Sequence, residues 1–102
     1  MTAIASPAIH NLVGGKWVTS TSPSGIELLN PATGESLGYS PTGSPAEVDA
    51  AVQAAHTAFA SWRIVPAVDR VQYLFKLKAL LEEHLDELAS LITIENGKTL
   101  AE

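Results

Sequence analysis

The side chains able to move protons, hold a metal or cradle a phosphate are few in this chain, and their spacing decides what they do. His10, His56 and His84 stand far apart in the sequence. No pair of them has the short spacing that fixes a metal from one helix face. Gly97-Lys98-Thr99 imitates the end of the phosphate-cradling G-x-x-x-x-G-K-[ST] loop, but Ile92 occupies the place of the first glycine and a helical run precedes it. The reading that fits is a helix C-cap. Gly14-Gly15 is the only glycine pair, and no G-x-G-x-x-G pattern occurs. Glu82, Glu83, Asp86 and Glu87 surround His84 and would supply paired carboxylates for acid–base work only if a cleft faced them. A solvated helix face explains them better, with His84 a solvated or half-buried histidine. Lys78 falls inside an apolar arc, where it can snorkel or pair with Glu82 one turn on. The chain has no cysteine, which removes a thiolate nucleophile, a thiolate metal site and any disulfide. Trp17 and Trp62 read as packing anchors. Residue types and spacing therefore assign no catalytic, cofactor-binding or metal-ligating residue.

Composition narrows the partners. The formal charge is −5, and the six Lys and Arg residues are scattered from Lys16 to Lys98. The basic stripe of a nucleic-acid binder is missing. The opening MTAIASPAIHNL lacks a basic flank, and Ser6 and Pro7 interrupt its apolar residues, so a secretory signal is not expected and a cytoplasmic location is. Charged and polar residues interrupt every long apolar run, so no membrane span is expected. At 46% hydrophobic content the chain is not of disordered type. Its 102 residues suffice for one small domain burying roughly 65% of its unfolded surface.

The elements follow from local signals. Residues 1–10 read as a disordered leader. From Asn11 to Thr19, Gly14-Gly15 between two β-rich runs predicts a tight hairpin. A polar loop, Ser20 to Gly25, leads to a strand near Ile26–Leu29. Asn30-Pro31-Ala32-Thr33-Gly34-Glu35 then predicts a turn, with Pro31 presetting φ, the Asn30 side chain bonding its own backbone ahead and Gly34 at the left-handed corner. A further strand follows near Ser36–Ser40. Ser44-Pro45-Ala46-Glu47 opens a helix with an N-cap serine, proline at the first helical position and a glutamate that completes a capping box. Val48, Ala51, Val52, Ala55, Phe59 and Trp62 then recur at helical spacing over residues 44–63. The alanine-rich stripe suits close packing against another helix.

Residues 66–96 are expected to form one very long helix or two joined end to end, closed by Gly97. Such a run is a rod of roughly 45 Å, against a radius of gyration of about 13 Å for a compact domain of this length. From Val71 to Ile92 its apolar residues cover an arc of roughly 200°, wider than one neighbour covers. The β-arm of residues 11–40 also needs a surface, because isolated hairpins are marginal in water. Taken alone, the residues describe a helix pair with a β-arm that requires partners.

The ordered set of these segments resembles the N-terminal region of the NAD(P)-dependent aldehyde dehydrogenase superfamily, and within it the CoA-acylating methylmalonate-semialdehyde dehydrogenases. The residues that carry the resemblance are Gly14-Gly15-Lys16-Trp17-Val18, Leu29-Asn30-Pro31-Ala32-Thr33-Gly34-Glu35, Glu47 to Ala55 with Phe59 and Trp62, Asp69-Arg70-Val71, and Leu91 to Leu100. The resemblance implies an α/β fold several times longer than this chain. Residues 11–102 would be the incomplete N-terminal part of its NAD-binding domain, with the β-arm at 11–43 and helices at 44–96. It further implies thioester formation on a cysteine, NAD as hydride acceptor, CoA as acyl acceptor, and a homo-oligomer when full length. The catalytic and cofactor-binding residues are expected beyond Glu102. The 102 residues alone are then expected to be inactive, with the remainder of the dehydrogenase fold as their partner. The alternatives are another aldehyde dehydrogenase subfamily and a free-standing helical interaction module.

Overall fold

A computed structural model describes residues 9–102. The expected leader at 1–10 falls outside that range except for Ile9 and His10, and His10 already belongs to the first strand. Two antiparallel hairpins come first, β1 (His10–Val13) with β2 (Lys16–Thr19) and β3 (Gly25–Leu29) with β4 (Ser36–Pro41). Three helices follow, α1 (Pro45–Trp62), α2 (Ala67–Glu83) and α3 (Leu85–Asn96).

Gly14 and Gly15 both take positive φ, +60° and +76°, which lets Val13 pair with Lys16 across a two-residue turn. The second turn closes as its residues dictate: the Ala32 N–H donates to the Asn30 side chain at 2.9 Å, and the Gly34 N–H donates to the Asn30 carbonyl at 2.8 Å. A register shift between Leu28 and Leu29 interrupts the β3–β4 ladder. Gly25 is required there, because a Cβ on it would stand 2.5 Å from the Tyr39 ring and 2.6 Å from the Ser40 carbonyl oxygen.

Ser44 caps α1 in extended conformation, its hydroxyl accepting from the Glu47 N–H at 3.2 Å. Pro66 starts α2, and Gly97 at φ +85° ends α3 with its N–H on the Thr93 carbonyl. Of the two forms expected for residues 66–96, the chain adopts two helices separated by His84 (φ −103°, ψ 18°). No proline or glycine marks this break. No side-chain cap closes either helix end there, and backbone bonds continue across it, from the His84 N–H to the Leu80 carbonyl at 3.0 Å and from the Leu88 N–H to the His84 carbonyl at 2.9 Å.

The elements form no closed core. No apolar side chain among the described residues is buried, and extensive contacts run only within each hairpin and between α2 and α3. Accessible surface is 8563 Å² where a compact chain of this mass exposes about 5,500 Å². The radius of gyration is 17.7 Å, against about 13 Å for a compact domain of similar length. Among the described residues no helix is long and apolar enough to cross a membrane.

Candidate functional site

The structure keeps the chemistry-bearing residues apart. His10 on β1 lies 3.1 Å from the Thr19 hydroxyl across the hairpin, His56 is exposed on α1, and His84 at the α2–α3 break meets the Glu87 carboxylate at 3.0 Å. No three His, Asp or Glu side chains among the described residues are grouped to hold a metal ion. Lys78 pairs with Glu82 one turn on, and both side chains are about two-thirds exposed (69% and 66%). A surface pair of this kind contributes about 0–1 kcal/mol. Gly97 is the C-cap of α3, so Gly97-Lys98-Thr99 follows a helix and not a strand. Of the two tryptophans, Trp62 packs its ring edge-on against Tyr73 with centroids 5.4 Å apart. Trp17, paired with Leu12 across the hairpin, is 74% exposed, so among the described residues it is no buried packing anchor.

The densest polar constellation is Glu47. Its carboxylate accepts from the Ser44 N–H at 2.7 Å, the Thr21 N–H at 2.9 Å and the Ser20 hydroxyl at 3.0 Å. The Ser44 N–H, then the Ser20 hydroxyl and the Thr21 N–H, hold the Glu47 carboxyl down at about 2, well below the ordinary carboxylate range. Its capping role was legible in Ser44-Pro45-Ala46-Glu47. The two donors from residues 20 and 21 were not, since no local spacing links them to residue 47.

A second polar residue also escapes sequence reasoning. The Nε of Arg70 is enclosed without a hydrogen-bond partner among the described residues, beside a cleft lined by Trp62, Tyr73 and Leu74.

The hollows are apolar. One, about 560 Å³, is an open cleft between the first hairpin and α1, lined by Leu12, Val13, Val18, Val48, Ala51 and Val52, with Asn11 and Glu47 as its polar side chains. A second lies under the hairpin tip against Ala54, Ala55 and Ala58. The Glu47 carboxylate at the edge of the first is taken up by its own donors, and the second has no polar side chain to orient a ligand. A dinucleotide does not fit the groups present. The helix N-terminus closest to a glycine, that of α1 after Gly43, is already occupied by its own Glu47 carboxylate, and a phosphate there would meet that negative charge.

Comparison with known proteins supplies the context. Residues 17–102 match the model of the aldehyde dehydrogenase family. The chain belongs to that family. It is 52% identical over 90 residues to malonate-semialdehyde dehydrogenase 3 of Geobacillus kaustophilus, an alignment that takes in 88% of this chain and 19% of the relative. Among solved aldehyde dehydrogenases, an NAD-dependent benzaldehyde dehydrogenase from Corynebacterium glutamicum superimposes with a TM-score of 0.86 at 34% identity, covering 98% of this chain and 21% of the other. A Sinorhizobium meliloti protein complexed with NAD, provisionally named a methylmalonate-semialdehyde dehydrogenase, gives 0.83 at 34% identity, covering 88% of this chain and 18% of the other. This chain spans about a fifth of the length of the curated relatives it matches. Its two hairpins and three helices are thus part of the larger aldehyde dehydrogenase fold, and the absence of a closed core within them is a property of that part.

Proposed function

We propose that this chain is the N-terminal part of an NAD-dependent, CoA-acylating malonate- or methylmalonate-semialdehyde dehydrogenase, and that it is catalytically silent alone. The observation that carries the reading is the 52% identity to a malonate-semialdehyde dehydrogenase. It extends over 90 residues, 88% of this chain, and not over one motif. In the reaction proposed for the whole enzyme, a cysteine thiolate attacks the aldehyde, hydride passes to NAD, the substrate carboxylate is lost as CO2, and the remaining acyl group leaves on CoA, as propionyl-CoA from methylmalonate semialdehyde or acetyl-CoA from malonate semialdehyde. This chain has no cysteine, and its α1 N-terminus is filled by Glu47. The nucleophile and the dinucleotide contacts are therefore assigned to other parts of the enzyme, and residues 11–102 to the edge of its NAD-binding domain. The uncovered apolar helix faces support such a setting, because they ask for more protein against them. A cytoplasmic homo-oligomer is part of the same proposal.

The test is a graft. This chain replaces the corresponding segment of the Geobacillus kaustophilus enzyme, and NADH production is followed with malonate semialdehyde, methylmalonate semialdehyde, benzaldehyde and succinate semialdehyde, with and without CoA. The expected chimera is folded and acylates CoA from the first two aldehydes. A folded but inactive chimera overturns the reading of this chain as the N-terminal part of such an enzyme. NADH production by the 102-residue chain alone overturns the silent reading.

A further inference from the structure

We propose that the β1–β2 hairpin is a hinged arm and that the Glu47 carboxylate is the latch holding it against α1. The two hairpins form separate two-stranded sheets, so no ladder bond ties β1–β2 to β3–β4. The arm continues into the irregular stretch from Ser20 to Ser24, and that stretch is pinned at both ends. At one end the Ser20 hydroxyl and the Thr21 N–H donate to Glu47. At the other, the Thr42 N–H donates to the Ser24 carbonyl at 3.0 Å, and the two hydroxyls lie 2.7 Å apart. Ser20 is set for its role by accepting the Ser22 N–H at 3.1 Å while it donates to the carboxylate.

Across the cleft between arm and helix the lining is apolar and open to solvent, with Leu12, Val13 and Val18 facing Val48, Ala51 and Val52. Apolar contact of this kind fixes no direction. A carboxylate that accepts fixed N–H and O–H donors does, because charge-assisted bonds are short and oriented. Glu47 also binds Ser44 of its own helix, so one side chain ties the start of α1 and the root of the arm into a single unit. Releasing it would leave Ser20 to Pro23 as a free linker, with Ser24 as the next anchor.

The absence of cysteine permits a direct test. Spin labels are placed on Lys16→Cys at the arm tip and Thr57→Cys on α1, and their distance distribution is measured in this chain, with helicity monitored by circular dichroism. The parent should give one narrow distribution. Glu47→Ala should lose it, and Ser20→Ala, which leaves the α1 cap intact, should broaden it at unchanged helicity. Ser44→Ala, which removes the serine hydroxyl of the cap and spares the latch, should leave it narrow. The proposal is overturned by a broad distribution in the parent, by a narrow one in Glu47→Ala or Ser20→Ala, or by Ser44→Ala broadening as much as Glu47→Ala. None of these outcomes depends on catalytic activity, so the latch and the dehydrogenase reading stand or fall separately.

Discussion

Glu47 illustrates how one residue can be half legible. The Ser44-to-Glu47 spacing specifies the capping box, which the structure contains, because both partners lie within one helical turn. The bonds from Ser20 and Thr21 arise from the path of the chain between two hairpins, which no local pattern encodes. The Ser44 N–H first, then these two donors, bring the carboxyl from 4.5 down to about 2. A depressed folded value gives a definite sign: the carboxylate's contribution is complete above about 4.5 and is lost as the pH falls through about 2. The Thr21 and Ser44 amide resonances should therefore titrate together with a midpoint near 2, and a midpoint near 4.5 would mean the bonds are not formed. Gly25 was wholly illegible, read only as the end of a loop. Its requirement comes from Tyr39 and Ser40 on the paired strand, and one of the clashing atoms is backbone. Gly25→Ala should destabilise the β3–β4 pair by about 1–3 kcal/mol, seen as faster amide exchange at Ile26 and Ser40.

At the scale of elements, the sequence located both hairpins, the start of α1 and the end of α3 because each carries strong punctuation: Gly14-Gly15, Asn30-Pro31, Ser44-Pro45 and Gly97. The break at His84 has none. It rests on the backbone angles of His84 alone, φ −103° and ψ 18°, which apolar periodicity does not register. The shift at Leu28/Leu29 was hidden for a similar reason, being a property of the pairing and not of either strand. Ser44→Ala removes the hydroxyl that accepts the Glu47 N–H and should destabilise the first turn of α1 by about 1 kcal/mol. Exchange of the first-turn amides would accelerate roughly five-fold, while those of α3 would not change. Lys78→Ala is the control, expected within about 0.5 kcal/mol of the parent because its partner lies in solvent.

For the whole molecule, the sequence announced a surplus before any coordinates did. The apolar arc from Val71 to Ile92 was wider than this chain could cover, and Leu74, Phe75, Leu77 and Leu80 are each at least half exposed. What the sequence alone could not supply was the size of the surplus, roughly 3,000 Å² beyond a compact chain of this mass. An environment-sensitive dye such as ANS should bind the isolated chain strongly, and grafting it into the longer relative should abolish that signal. The lack of any buried apolar side chain has a further consequence, for how substitutions will be read. In most domains replacing a leucine with lysine is damaging wherever it is measured. Here the sign should depend on the molecule that carries the change. Leu77→Lys should leave the isolated chain unharmed and more soluble, because Leu77 already faces water. In the graft the same change should cost several kcal/mol, about the penalty for forcing an unpaired charge against covering protein. A mutational scan of the short chain would score such positions as tolerant, and a scan of the long enzyme would score them among the most sensitive.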